Sequence, residues 1–171
     1  MTSAFNRLIL ERGYEAISVA DVAELANVGR STFYEHFSGL DDLLAQSLSG
    51  HLAVLAGASL GPEPDPMMTR VLRHFWEQRK VAGALLGGGA QRVVCALLSK
   101  QFEAALETQW PIRPGGPAYR RKLVAIQLAA GQLAVLGAWV SGRLSASTEE
   151  IAETLRTSCR AVAAATFGSA A

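Results

Sequence analysis

Cysteine is scarce in this sequence, and neither sign of charge is in excess. Cys95 and Cys159 lie far apart, form no CxxC pair and have no histidine cluster beside them. This excludes a disulfide framework and the usual zinc-ligand spacings, leaving two small buried thiols in a reducing cytosol. The three histidines (His36, His51, His74) are well separated, with no acid and nucleophile at recognisable spacing. No catalytic residue, metal or cofactor is therefore expected, and enzyme activity is set aside. Lys and Arg total 16 against 15 Asp and Glu, a formal net charge of +1. That balance excludes a uniformly basic nucleic-acid coat. The opening MTSAFNRLIL lacks a basic start and a small-residue cleavage site, so no signal peptide is expected and the chain is placed in the cytoplasm. Strand signals are almost absent.

What is present is helical. Half of the residues are hydrophobic, and 29 Ala with 22 Leu supply good helix formers at 51 of 171 positions. This length suits one domain, or a small module joined to a larger one. One stretch, Leu123 to Gly142, carries no charge over 20 residues and matches the ~30 Å of a bilayer core in length. Gln127, Gly131, Gln132 and Gly137 interrupt it, and Lys or Arg flanks both ends, so a buried helix of a bundle or subunit interface is expected rather than a membrane span. The LLGGGAQR stretch has no Lys-Ser/Thr after its glycines and no strand before them. It reads as a helix-to-helix hinge, not a phosphate loop.

Helix punctuation divides the chain. A first helix ends at Gly13, a residue suited to the left-handed position after a helix. Ser18 with Asp21 forms a capping box for a helix to about Ala26. Asn27-Val28-Gly29 then turns the chain into another short helix, Arg30 to His36. Ser38 and Asp41 supply the next cap. Apolar positions 40, 43, 44, 48, 52 and 55 follow at helical spacing. Gly57 to Pro66 reads as a linker, Asp65-Pro66 as a helix start and residues 81–89 as a looser piece. Further helices are expected over 90–108 and 118–141, separated by Pro111, Pro114, Gly115, Gly116 and Pro117. Ser147 and Glu150 cap a last helix to about Phe167.

The chemistry-bearing constellation is the set of three short helices in the first 40 residues. Val19, Val22, Ala23 and Ala26 fall on one face, Val28 in the turn, and Phe33 and Phe37 on the inner face of the third helix. Small Ala23 lets two helices cross closely, which is a helix-turn-helix arrangement. The opposite face of the third helix carries Arg30, Ser31, Thr32, Tyr34 and His36. Arg pairs bidentately with guanine, Thr touches a thymine methyl and Tyr donates to phosphate.

The run LILERGYEAISVADVAELANVGRSTFYEHFSGLDDLL resembles the DNA-binding domain of TetR/AcrR-family transcriptional regulators, over about 45 residues. ERGYEAISVADVAELA, RSTFYEHF and DDLL carry the resemblance. It implies an all-α chain, with a helix-turn-helix domain over residues 1–45 and an effector-binding and dimerisation bundle over 46–171. It also implies a homodimer on palindromic double-stranded operator DNA, released when a small molecule enters the second domain. Ser18 takes a phosphate-contacting position, Arg30, Ser31 and Thr32 positions that reach base edges, and Tyr34 and His36 positions near backbone or neighbouring bases. Three departures stand out. Gly29 replaces the usual Ser cap and Leu40 the usual phosphate-gripping Lys, and the basic arm ahead of the first helix is expected upstream of residue 1. Residues 1–50 hold three arginines and seven acids, a net of −4, leaving +5 on the rest. Weak, salt-sensitive DNA binding is expected.

In the second domain, Met67, Met68, Phe75, Trp76, Phe102, Trp110 and Trp139 are candidates for lining a pocket for a small apolar or aromatic effector. His74, Gln78, Gln101, Gln127 and Gln132 are candidates for orienting it, with one of the last two expected in the pocket. Ala130, Leu133, Ala134 and Ala138, with Ile151, Leu155 and Val162, are the expected dimer face of a four-helix bundle. The alternative function is a dimeric helical small-molecule or partner-binding protein with impaired DNA binding.

Overall fold

Side-chain caps set several of the helix starts. A computed structural model describes residues 1–110 and 119–168, and every regular element among them is helical. In order these are α1 (Thr2–Arg12), a 3₁₀ turn (Tyr14–Ala16), α2 (Val19–Leu25), α3 (Arg30–His36), α4 (Leu40–Leu60), α5 (Pro66–Glu77), α6 (Arg79–Gly87), α7 (Gln91–Gln109), α8 (Tyr119–Val140) and α9 (Thr148–Phe167). Ser18 accepts from the Asp21 N–H, and the Asp21 carboxylate accepts back from the Ser18 N–H at 2.8 Å. Ser147 and Glu150 close the same box on α9. Asp65 accepts from the Met67 N–H at 2.8 Å, with Pro66 as the first helical residue of α5. Each cap satisfies a backbone donor that the first helical turn leaves free.

Other expectations shift. Gly57 to Leu60 belongs to α4 rather than to a linker, because Leu55, Ala56, Ala58, Ser59 and Leu60 are all buried. That burial outweighs the ~1 kcal/mol helix cost of Gly57. Residues 81–87, expected to be loose, belong to the regular helix α6. Gly39, not Ser38, is the N-cap of α4, and Ser38 instead donates its N–H to Asp42 at 2.8 Å. Gly13 has the expected positive φ of 75°, but its ψ of 156° is extended rather than left-handed helical. The expected break at Pro111, Pro114, Gly115, Gly116 and Pro117 lies outside the described residues.

The architecture is all-α: a three-helix N-terminal module joined to a helical bundle. Helix α4 runs unbroken through the expected 45/46 boundary and serves both. In the bundle, α7 packs on α4 and α8, α9 lies against α4 and α5, and α6 packs against α8 and reaches back to α1. Two described helices, α4 and α8, are long and apolar enough to cross a membrane. Neither is buried all round. On α8, Val124, Leu128, Leu136 and Trp139 face the core, whereas Leu123, Ile126, Ala130 and Ala134 are exposed.

Candidate nucleic-acid interface and effector cavity

The corner between α2 and α3 is built by three small decisions. The Ala26 N–H bonds Val22, the Val28 N–H bonds the Ala23 carbonyl at 3.0 Å, and Asn27 between them takes a left-handed φ of 53°. Asn tolerates that conformation because its short polar side chain can hydrogen-bond locally. Val22, Ala23 and Phe33 are buried where the helices meet, with Val19, Ala26, Val28 and Phe37 half-buried around them. Phe33 packs against Phe37 at 5.4 Å and edge-on to Tyr34 at 5.6 Å. With Phe33 pinned inward, about 100° of rotation per residue places Ser31 and Glu35 outermost. Arg30 and Tyr34 flank them on one side, Thr32 and His36 on the other. All of these are exposed except Thr32, which is half-buried. Glu35 is the residue the sequence reading passed over. Its sign argued against DNA contact, yet its place on the helix is central, and a carboxylate can accept from a cytosine amino group.

Ion pairing singles out one cation in this module. Arg7 bonds Glu11 at 2.8 Å and Arg12 bonds Asp21 at 2.9 Å. Among the described residues, Arg30 has neither an ion pair nor a side-chain hydrogen bond, so of the three arginines in residues 1–50 it alone is free for a ligand. Ser18 is less free. Its hydroxyl accepts from the Asp21 N–H and donates to the Asp21 carboxylate, so its hydrogen is already used. An anion at the start of α2 would meet first-turn backbone N–H groups. Hydrogen bonds from Ser18, first from its side chain, hold the Asp21 carboxyl below the usual range, with Arg12 adding to the shift. At α3 the expected weak cap is seen: Gly29 offers no side chain to the first turn.

The bundle holds a small apolar cavity of ≈ 30 Å³ between α4, α5, α6, α7 and α8, with Leu52, Leu55, Phe75, Leu86, Val94 and Leu136 in its wall. A void of this size holds about one water, far below the several hundred Å³ of a ligand pocket. Of the expected pocket residues, only Phe75 lines it. Phe102 and Trp139 are buried core, and the Trp139 ring nitrogen donates to the Ala146 carbonyl at 2.9 Å. Trp76, 40% exposed, stacks on Trp139 from outside, while Met67 is exposed. Trp110 and Met68 are also buried core. The two glutamines of α8 part company, since five positions turn the helix well past a right angle. Gln127 is exposed, and Gln132 is buried, bonding Ser59 Oγ at 2.5 Å and Cys159 Sγ at 3.5 Å. Its Oε1 has no partner among the described residues. Burial pushes the Cys159 thiol up to about 11, so it is a packed polar neighbour rather than a reactive thiolate. Leu133, Leu85 and Leu48, which the sequence reading did not assign to a pocket, do line this cavity.

A cleft of ≈ 380 Å³ adjoins the cavity, between α1, α4, α5 and α6. At its polar end the imidazoles of His51 and His74 stack at 5.1 Å, tilted by only 7°. Burial, and then the neighbouring His74, lowers the pKa of His51, with a Ser47 carbonyl opposing the shift. No three His, Cys, Asp or Glu side chains converge as a metal-ligand set among the described residues.

The expected dimer residues separate into two groups. Ala130 and Ala134 are exposed and Ala138 and Val162 half-buried, while Leu133, Ile151 and Leu155 are buried inside the protomer. On α9 the exposed residues include a strip of small uncharged side chains, Thr154, Ser158, Ala161 and Ala165, beside the exposed Glu149, Glu150, Glu153 and Thr157. Ile151 and Leu155 fill the protomer's own core because α9 packs on α4 and α5, and Leu133 of α8 lines the cavity.

Residues 2–46 match the model of the family "Bacterial regulatory proteins, tetR family". No curated protein sequence matches the chain. Solved structures share its fold over nearly the whole length. A TetR transcriptional regulator from Streptococcus agalactiae 2603V is 23% identical, covering 92% of this chain and 89% of that chain, with a TM-score of 0.54. The dihydroxyacetone kinase operon activator DhaS is 18% identical, covering 96% of this chain and 94% of that chain, with a TM-score of 0.50. At these identities the likeness is one of fold.

Proposed function

Given that residues 2–46 form a TetR-family helix-turn-helix module within a TetR-like fold, we propose that this chain is a ligand-responsive transcriptional repressor. It binds palindromic operator DNA as a homodimer and lets go when a small apolar effector occupies the bundle. It is cytoplasmic, bacterial and nucleoid-associated, and carries out no chemistry on what it binds. The observation that carries the reading is Arg30: exposed at the start of α3, on the flank beside the outermost Ser31, and unpaired among the described residues while Arg7 and Arg12 are paired. A guanidinium held there costs nothing to detach from a partner before it meets a guanine.

Arg30, Ser31 and Thr32 read bases, with Glu35 between the two flanks, and Tyr34, His36 and the start of α2 at Ser18 face the backbone. Dimerisation through the exposed faces of α8 and α9 sets two copies of α3 ~34–36 Å apart, one helical turn of DNA. The exposed strip on α8 (Leu123, Ile126, Ala130, Ala134) supports this, as does the strip of small uncharged residues on α9 (Thr154, Ser158, Ala161, Ala165). An effector acts only if it binds the two arrangements of the dimer unequally. The cavity fits that requirement, because at ≈ 30 Å³ it admits an effector only if its walls move apart. The net charge of −4 on residues 1–50 makes binding weak and steeply salt-dependent.

Selection of bound duplexes from a random library, at low and at physiological salt, tests the reading. An enriched inverted repeat is expected. No enrichment at either salt would leave the chain as a dimeric helical small-molecule or partner-binding protein with impaired DNA binding, which the −4 charge favours.

A further inference from the structure

The small apolar cavity and the adjoining cleft share one wall. Leu48, Phe75, Ala82 and Leu85 line both, and Leu48 and Phe75 are only half-buried. Beyond that wall the cleft turns polar. Asn6 of α1, Ser47 and His51 of α4, His74 of α5 and Gln78 between α5 and α6 supply its polar groups, and no Asp or Glu lines it. The far side of the His51–His74 pair looks onto a shallow groove that holds Arg70, again without an acid. One end of an otherwise apolar hollow therefore gathers hydrogen-bond donors and nearby positive charge. Neutral His51 turns its one N–H to the Ser47 carbonyl, whereas His74 keeps one to donate and a protonated His51 gains a second; a carboxylate accepts from several such donors at once. Two imidazoles stacked at 5.1 Å repel each other when charged, and an anion beside them removes that conflict.

We propose that the effector is a carboxylate-headed amphiphile of the medium-chain fatty-acid class, with its carboxylate at His51, His74 and Gln78 and its tail displacing Phe75 and Leu48 to enter the apolar cavity. This inference rests on the reading of the bundle as an effector domain and names the effector's chemistry. The head group lies where α1 closes the cleft through Thr2 and Asn6. The occupant thus touches the DNA-reading module itself, and filling the cleft bears directly on how that module sits against α5 and α6.

The test is calorimetric titration of the full chain, without DNA, using decanoate and decanol, which share a tail and differ in head. Decanoate is expected to bind at least about tenfold more tightly, the effect of one charge-assisted hydrogen bond. His74→Ala, at an exposed position, and His51→Ala should each weaken decanoate more than decanol and so narrow that preference. Melting curves establish that both variants are folded. Equal binding of the two probes by the wild type, a decanoate affinity unmoved by both substitutions, or binding of neither probe would overturn the proposal. Operator release is read separately. Carboxylate-selective binding without release supports this site and contradicts the regulatory reading.

Discussion

Glu15 lies across Gly89: a β-carbon built on Gly89 would stand 2.3 Å from Glu15 Cγ. The 3₁₀ turn of the N-terminal module thus rests on the turn between α6 and α7, where only a glycine leaves room. The glycine run read from sequence as a hinge is also a seat. In Gly89→Ala, the exposed Glu15 side chain must swing off, or the module must shift. With Glu15→Ala already in place, Gly89→Ala should be neutral or stabilising by up to ~1 kcal/mol, since it restricts the unfolded chain. Urea unfolding of the four proteins in this cycle should give a coupling of at least about 0.5 kcal/mol. Strict additivity would mean that the contact carries no energy.

The capping box at Ser18 makes a second prediction. Ser18→Ala removes the acceptor for the Asp21 N–H and frees the Asp21 carboxylate from its main partner. A loss of about 1 kcal/mol in urea unfolding is expected, with Ser18→Thr restoring most of it. Unchanged stability for Ser18→Ala would show that α2 is held by packing alone.

The exposed strip on α8 is tested at its centre. Ala134 is exposed, so Ala134→Arg leaves the protomer core intact while placing a charge in the face proposed to meet a second copy. Light scattering should report monomers with a normal helical spectrum. An intact dimer would mean that the chains meet elsewhere.

His51 gives a pH dependence whose sign is fixed. Burial, reinforced by His74, holds its folded pKa below the ordinary 6.5. Below 6.5 the unfolded chain therefore takes up protons that the folded chain resists. Its contribution to stability is complete above 6.5 and is lost as pH falls through the lowered folded value. Melting temperatures taken well above and well below 6.5 should fall less in His51→Gln than in the wild type. Parallel curves would contradict the assignment.

Much of this was legible in the sequence, and the exceptions have physical reasons. Ser18, Asp65 and Ser147 announce their helices because capping is local chemistry, needing only residues two or three positions away. The bounds of α3 and the inward Phe33 follow from the same short range. The direction of α8 does not. That helix is apolar on every side, so periodicity could not say whether Gln127 or Gln132 faces the core, or that Leu133 points into a cavity. On α9, Ile151 and Leu155 share one face, but a face cannot announce whether its partner is the same chain or another. The His51–His74 pair was invisible for a different reason: 23 positions separate the two rings, and only the packing of α5 on α4 brings them together.

The central claim, that α3 reads DNA through Arg30, is tested most directly by fluorescence anisotropy with Arg30→Ala on the inverted repeat that selection enriches. Arg30 is exposed and unpaired among the described residues, so its removal should change stability by no more than about 0.5 kcal/mol. Operator affinity should fall by ~1–3 kcal/mol, with discrimination lost at one base pair of each half-site. A stable Arg30→Ala protein that binds the repeat as tightly and as selectively as the wild type would contradict the account.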